Sequence, residues 1–460
     1  MVSIPPHIFR EYDIRGVADR DLSDDLSRNI GRAIATMFLG DARAIRIAVG
    51  RDCRLSSPRI FAALTDGLRE CGADVVDIGI GPTPFLYHAV TTLDVHGGVM
   101  ITGSHNAGDE NGFKIMRGKA SFFGADIQAL RAVIEAGAWQ FEKRGSLESV
   151  ATEDAYVASV TGGIRIADKS VRVVLDAGNG SGGPLGLRCM RELGLEPTPL
   201  FCAMDGEFPN HHPDPTVAKN LEALVDCVRK TNADIGIAYD GDADRLGAVD
   251  SDGTIIWGDK LMILFARDLL KANPGATIIG EVKCSQTLYD DVAKHGGRPI
   301  MWKTGHSLIK TKMKSEKALL AGEMSGHLFF ADRYFGYDDA IYASLRLIEI
   351  VARERRSLRA MLADVPNTFA TPEIRVACSD STKFAVVARV AAHFKAAGLS
   401  VDEVDGARIQ FGAEGWGLVR ASNTGPLLVM RFEAGSEAEC ARIRGEVEAA
   451  TTAARAAVTV

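Results

Sequence analysis

The sequence has no apolar run long enough to cross a membrane, no C-x-x-C pair among its eight cysteines, and no excess of positive charge. Each absence removes a class of function. A spanning helix needs about 20 apolar residues, so no membrane segment is expected. The opening stretch MVSIPPHIFREYDIRG lacks the charged and apolar blocks of a secretory leader, which makes a cytoplasmic location the default expectation. The cysteines, at 53, 71, 189, 202, 227, 284, 378 and 440, are scattered, suggesting neither a disulfide framework nor a thiolate zinc site. A formal net charge of −7 argues against a nucleic-acid surface, so an anionic substrate would have to be held by local groups. What is present is an ordinary soluble composition, 46% hydrophobic and 25% charged. The 460 residues exceed what one hydrophobic core usually organises.

Strand-like and helix-like periods fall into four blocks. In the first, IRIAV (45–49), DVVDIG (74–79) and GGVMIT (97–102) read as buried strands. SPRIFAALTDGLREC between the first two reads as a helix, with Ser57 as its N-cap and Pro58 at the first helical position. The second block repeats the theme with VRVVL (171–175), a helix through 185–193 and DIGIAY (234–239). The third has ATIIGE (276–281), a helix near 285–295, ALLAG (318–322) and a long helix over roughly 337–355. This alternation predicts an α/β fold, with largely parallel sheets covered on both faces and ligands held beyond the carboxyl ends of the strands. After VPNTFATP (365–372) the order becomes EIRVACS, a helix near 382–397, ARIQF, WGLVRAS and PLLVMRFEA, which predicts a smaller antiparallel α+β domain. The expected domains are 1–150, 151–253, 254–366 and 367–460.

Four clusters carry chemistry. DGDADR (240–245) follows an apolar strand, and its alternate carboxylates, Asp240, Asp242 and Asp244, can converge on one hard cation, magnesium before zinc or copper. A calcium EF-hand would need glycine and glutamate where Arg245 and Ser251 stand. A phosphatase with an aspartyl nucleophile would use Asp240 and Asp242 but leaves Asp244 out of pattern. TGSHN (102–106) sets Ser104 beside His105, a pairing that suits nucleophilic chemistry if a base or cation activates the hydroxyl; a polar turn is the plainer reading. GEMSGH (322–327) alternates Glu323, Ser325 and His327 along a loop, suiting hydrogen bonds to sugar hydroxyls. RASNTGP (420–426) offers Arg420, Ser422 and Thr424, with a turn at Gly425 and Pro426, a combination able to hold a phosphate. Smaller pieces are Arg10, Tyr12 and Arg15, then Lys114, Lys283 and His306. A rival pattern exists: Gly178, Gly180 and Gly183 match the G-x-G-x-x-G dinucleotide fingerprint, with Asp205 downstream. A nicotinamide-dependent dehydrogenase is therefore an alternative, and a non-catalytic sugar-phosphate sensor is another.

Taken in order, FREYDIRG, TGSHN, DGDADR, KTGHS, GEMSGH and RASNTGP resemble the motifs of the α-D-phosphohexomutase family, within it the bacterial phosphomannomutase/phosphoglucomutase branch. The resemblance spans nearly the whole chain. It implies three similar α/β domains and a smaller fourth around a central cleft. It also implies interconversion of hexose 1-phosphate and hexose 6-phosphate through a phosphoserine and a hexose 1,6-bisphosphate. Ser104 would be the phosphoserine, and Ser104, Asp240, Asp242 and Asp244 would hold one magnesium ion per chain. Arg245 would lie beside that site, with His105 next to the nucleophile. Arg15, Lys114 and His306 become candidates for proton transfer or charge stabilisation, and His327 sits near the reacting end. Glu323 and Ser325 would grip sugar hydroxyls; Arg420, Ser422, Asn423 and Thr424 would hold the phosphate that is not reacting; Tyr12 and Lys283 would line the cleft. Ala107 stands where family members commonly have proline, with no loss of chemistry. Mannose and glucose phosphates are the expected substrates, and glucosamine phosphate is the alternative within the family. Neither nucleic-acid nor membrane partners are implied, and the chain is expected to be a monomer or weak homodimer.

Overall fold

The computed structural model describes residues 4–40, 44–139, 141, 143–413, 415–423 and 425–458. Four sheets follow one another along the chain. The first places Ile45–Arg51 between Ala73–Ile80 and Gly97–Ile101, all parallel, because each returns through a helix. Glu110–Arg117 then runs back antiparallel beside Gly97–Ile101, with Ile14–Val17 outside it. In the second sheet Ile235–Tyr239 lies parallel to Val173–Asp176, and Leu246–Asp250 returns antiparallel. The third repeats this with Thr277–Glu281, Leu320–Gly322 and the antiparallel return Leu328–Phe330. These strands are apolar and buried at almost every position, as expected for sheets covered on both faces.

The repeat has a consequence for function. In each of the three sheets an inner parallel strand passes into an antiparallel neighbour through a short loop. Those loops contain residues 102–109, 240–245 and 323–327, three of the four clusters singled out from sequence.

One apolar core runs through all three α/β units, and the helix Ala340–Glu354 is buried in it on nearly every side. Its N-cap is Asp339, whose Oδ1 accepts from the Tyr342 amide at 2.9 Å while Tyr156 and Tyr334 donate to Oδ2 at 3.0 and 2.7 Å. The fourth sheet is wholly antiparallel, carries the helices Lys383–Ala396 and Glu437–Val458, and has a core of its own. It joins the third unit through a small apolar cluster of Val282, Trp416 and Leu418, and through two buried guanidiniums. Arg408 donates to the Val282 and Cys284 carbonyls at 2.7 and 3.1 Å, and Arg431 donates to the Lys283 carbonyl. Among the described residues, no helix is long and apolar enough to cross a membrane.

Most expected elements appear within a few residues of their sequence positions, and the largely parallel α/β sheets followed by an antiparallel α+β unit are as expected. One local reading is corrected. Ser57 is not an N-cap: it is the first residue of the helix Ser57–Glu70, and its hydroxyl donates to Asp52 Oδ1 at 2.6 Å. Ser56 precedes that helix without a side-chain cap.

Asp339→Ala removes a cap and the acceptor of two buried tyrosine hydroxyls, so unfolding free energy should fall by about 2–4 kcal/mol. A thermal melt of the unliganded protein tests this, and an unchanged midpoint would refute the assigned role.

Candidate functional site

The strand Gly97–Ile101 ends against a turn that holds Ser104 with a positive φ of 50°, a strained conformation for a residue with a side chain. Its fixing group is Arg54, which sequence reasoning missed. The Arg54 guanidinium is fully buried. It donates to the carbonyls of Ser104 and Asn106 at 2.8 and 2.7 Å, to that of Glu110 at 2.9 Å, and to that of Ala107. Asp52 completes the staple, 3.1 Å from Arg54 Nε and accepting from the Gly103 amide at 3.1 Å. An isolated arginine 50 residues upstream gives no local signal of this, except that Asp52 lies two residues away. Arg15 adds a bond from Nη1 to the Gly103 carbonyl at 2.6 Å. So held, Ser104 directs Oγ at Asp240 Oδ2, 3.0 Å away, and lies 3.1 Å from His105 Nδ1.

The loop 240–245 meets it from the second sheet. Asp240, Asp242 and Asp244 are each fully buried, and one ligand oxygen from each lies within 4.8 Å of the others. Asp240 Oδ1 accepts the amides of Asp244 and Arg245 at 3.0 and 3.1 Å, which turns the loop inward. Gly241 is required here, because a side chain would collide with the Ser104 carbonyl. Lys114, from the antiparallel return of the first sheet, places Nζ 2.7 Å from Asp242 Oδ2 and against Asp244 Oδ2. Thr83, also unforeseen, donates to Asp242 Oδ2 at 2.5 Å. Burial pushes the Asp240 carboxyl up, reinforced by the neighbouring charges of Asp244 and Asp242. Against the same burial, Lys114 helps hold Asp242 and Asp244 down. Asp242 Oδ1 is buried and accepts no hydrogen bond, whereas Asp244 Oδ1 has the His327 imidazole beside it. Three converging carboxylates, one with an unsatisfied inner oxygen, fit a bound metal ion.

A β-bridge between Arg245 and His327 ties this loop to the third sheet's loop, 323–327. His327 Nε2 is 3.2 Å from Asp244 Oδ1, and Nδ1 lies 2.5 Å from Glu323 Oε2. Burial would lower the His327 pKa, but the Asp244 and Glu323 carboxylates lift it to about 9. Ser325 is 3.3 Å from His327 Nδ1. Glu323 also accepts the Gly305 amide at 2.7 Å. His306, buried beside them, is pushed well below its ordinary value by desolvation and by nearby Lys310 and Lys114.

The fourth unit closes the other side. Arg420 Nε donates to Asp405 Oδ2 at 2.9 Å, and Asn423 Nδ2 donates to Tyr12 Oη at 2.5 Å. The Ser422 amide is occupied by the Leu427 carbonyl at 2.9 Å, so this loop does not offer all its N–H groups. Buried Lys383, a further residue missed from sequence, donates to the Ser422 and Gly425 carbonyls at 2.6 and 3.2 Å. Thr424 lies outside the described residues. Lys283 Nζ faces Glu373 Oε2 across the same junction at 3.1 Å.

All these loops border one cavity of about 1030 Å³, lined by Tyr12, Arg15, Ser104, His105, Lys114 and Arg245, and by Lys283, His306, Glu323, Ser325, His327, Arg420, Ser422 and Asn423. The three aspartates lie just behind its wall. The glycines that resemble a dinucleotide fingerprint have another use. A side chain at Gly180 would come within 2.6 Å of the Gly241 carbonyl, one at Gly178 would press on Pro213, and one at Gly183 would strike Cys202. Close packing against the chain itself accounts for these glycines, so their spacing is no evidence for the dehydrogenase alternative.

Arg54→Ala leaves five acceptors around the serine turn without their donor, and should accelerate amide hydrogen exchange over 103–110 by at least about tenfold. Equal exchange in the variant would contradict the staple. A second expectation concerns acid. Burial raises the Glu373 carboxyl, but Lys283 and Arg375 bring it down to about 2 from an ordinary 4.5. Its stabilisation, up to about 3 kcal/mol, is therefore present above pH 4.5 and lost as pH falls toward 2. Glu373→Gln should be less stable than the parent at pH 7, with the gap closing on acidification; a gap independent of pH refutes it.

Comparison with known proteins gives one consistent match. Models of the phosphoglucomutase/phosphomannomutase α/β/α domains I, II and III match residues 6–140, 154–253 and 257–369, and the C-terminal domain model matches 373–450. The phosphomannomutase/phosphoglucomutase of Pseudomonas putida is 45% identical over 442 residues, covering 96% of this chain and 95% of that protein. The phosphoglucomutase of Neisseria gonorrhoeae is 43% identical over 452 residues, covering 98% and 97%. The X-ray structure of a phosphoglucomutase/phosphomannomutase family protein from Burkholderia thailandensis superposes with a TM-score of 0.92 at 43% identity, covering 98% of each chain.

Proposed function

The chain belongs to the phosphoglucomutase/phosphomannomutase family, and from that premise we propose that it interconverts hexose 1-phosphates and hexose 6-phosphates by way of a phosphorylated Ser104. The observation that supports Ser104 above other hydroxyls is its 3.0 Å bond to Asp240, in a loop built to hold a cation beside it.

The phosphorylated serine gives its phosphoryl group to the free hydroxyl of a bound monophosphate. The Oγ–P bond breaks, an O–P bond to the sugar forms, and the hydroxyl proton leaves to a base. His306, kept neutral by burial and lining the cavity, is suited to take that proton. The resulting 1,6-bisphosphate turns over inside the cavity and returns its other phosphate to Ser104. Magnesium held by Ser104, Asp240, Asp242 and Asp244 supplies charge neutralisation for the transfer. Arg15, Lys114 and Arg245 add positive charge around the same atoms, and His105 lies against the nucleophile. Glu323 and Ser325 orient the sugar hydroxyls, with His327 near the reacting end. Arg420, Ser422, Asn423 and Thr424 hold the distal phosphate, and Tyr12 and Lys283 line its path. The separate core of the fourth unit suits it to hinge over the substrate and shut out water that would hydrolyse the phosphoserine. Hydroxyl contacts at Glu323 and Ser325 do not discriminate epimers at carbon 2, so mannose and glucose phosphates are both accepted.

Ser104→Ala should lower mutase turnover by about 10³-fold or more and take up no label from ³²P-hexose 1,6-bisphosphate. Excess chelator should silence the parent enzyme reversibly. Full activity in either case would end the proposal. Hexose phosphates, and not NAD, should raise the melting temperature.

A further inference from the structure

One stretch of the cavity wall has no part in the chemistry above. Among the described residues, Val217 and Trp257 are the large exposed apolar side chains that line the cavity, at 44% and 38% exposure. Met324 joins them from between Glu323 and Ser325, the two residues assigned to the sugar hydroxyls. The rest of the wall is rich in arginine, lysine, histidine and carboxylate, so an open indole there is out of keeping with its surroundings. An apolar face left bare inside a ligand cavity is the usual mark of a surface that the ligand covers.

The backbone fixes both residues in place. Trp257 precedes the helix Gly258–Ala272, and its carbonyl accepts the Lys260 and Leu261 amides at 2.9 Å each. Just before it, Ile255 and Ile256 pair with Val249 and Ala248 of the second sheet. Just after it, Gly258 is pressed on the hydroxyl-binding loop: a side chain there would come within 2.6 Å of the Glu323 carbonyl and 2.8 Å of that of Met324. The Val217 turn is organised by Asp214, whose Oδ1 accepts from the Thr216 amide and hydroxyl at 3.0 and 2.7 Å. Pro215 of the same turn packs against Gly247. Both apolar groups therefore stand on supports that rest on one strand, Leu246–Asp250, next to the loop that meets the sugar.

We propose that Trp257, with Val217 and Met324, is the surface that the hexose 1,6-bisphosphate rests on while it turns over, a positioning role that depends on the bisphosphate route above. Turning exchanges the two phosphates between the metal loop and the Arg420 loop, so midway each end gives up its hydrogen bonds and ion pairs. Those contacts are directional, whereas apolar contact is not. A pyranose presents C–H groups as well as hydroxyls, and an indole face covers them in either orientation. With a formal net charge of −7, the protein's overall field favours the escape of a bisphosphate, so its retention has to be local. The indole keeps hold of the ring when neither phosphate is clamped.

The test mixes full-length protein carrying ³²P on Ser104 with glucose 1-phosphate and measures the labelled bisphosphate released to solution per phosphoryl transfer. Trp257→Ala should raise that release at least about tenfold, while the first transfer from the phosphoserine changes by less than about twofold. Trp257→Phe should stay near the parent. Equal release from the parent and the alanine variant overturns the proposal, and so does a rise as large in Trp257→Phe, since a second aromatic face should still carry the ring. Another arm needs neither turnover nor phosphoserine. In Ser104→Ala, glucose 1,6-bisphosphate should alter tryptophan emission, and adding Trp257→Phe should abolish the change, because Trp139, Trp302 and Trp416 do not line the cavity. Calorimetric binding without that change, or no binding, overturns the contact even if Trp257→Ala folds poorly. A parent that takes up no label while the emission response persists would sink the phosphoserine and leave the contact standing, so the two readings fail separately.

Discussion

Three carboxylates are buried within a few ångströms of a serine hydroxyl, and most of the molecule can be understood as the means of keeping them there. Each buried ion costs several kcal/mol unless compensated. The chain supplies compensation from three separate units: Lys114 from the first, Arg245 from the loop itself and His327 from the third. Such a cluster adds little net stability, since an apolar replacement of similar volume would pack as well. Its gain is positional. The charges hold three loops from three sheets in mutual register, and they leave the inner oxygen of Asp242 unpaired for a cation to satisfy.

The fold makes this convergence economical. Chemistry sits beyond the carboxyl ends of parallel strands because successive crossovers leave a crevice there. Here the same strand-to-return loop occurs once per sheet, so one structural device brings Ser104, the three aspartates, and Glu323 with His327 together in turn. The loops are then fixed by contacts too tight for a side chain: Gly241 against Ser104, and Gly326 against the Leu246 carbonyl. The fourth unit obeys different rules. With its own core and an interface of buried arginines around one small apolar patch, it resembles a domain that docks and releases rather than a layer of the main body.

The sequence was most legible where residue type and spacing carry meaning together. Three alternating aspartates after an apolar strand announced a cation site, and the alternation of apolar strands with helices announced the sheets. It was least legible where function depends on a single distant partner. Arg54, Lys383, Asp405 and Glu373 belong to no motif, yet each is tied into the walls of the site by bonds to residues far along the chain. Ser57 looked like a cap because it precedes a proline, but it stands inside the helix, its hydroxyl donating to Asp52 and accepting from Asn111. The glycines at 178, 180 and 183 show the converse failure. Their spacing mimics a nucleotide motif, while their cause is the close approach of their loop to the aspartate loop and to Cys202 and Pro213.

Thr304 explains how the distal half of the cavity is pre-set. Its carbonyl accepts from Tyr12 of the first unit at 2.7 Å, its amide donates to Asp405 of the fourth at 3.0 Å, and its hydroxyl donates to Glu281 of the third at 2.8 Å. Asp405 in turn holds Arg420 through Nε, which aims the rest of that guanidinium without consuming it. A flexible arginine would have to lose its freedom on every binding event, at about 0.5–1.5 kcal/mol for a side chain of this kind. One fixed by Asp405 has already lost it. The same node joins three units: Asp405 and Asn423 of the fourth bond Thr304 of the third and Tyr12 of the first. The Asp405–Arg420 pair lies within the fourth unit, whereas the bonds to Thr304 and Tyr12 are what tie that unit to the third and the first.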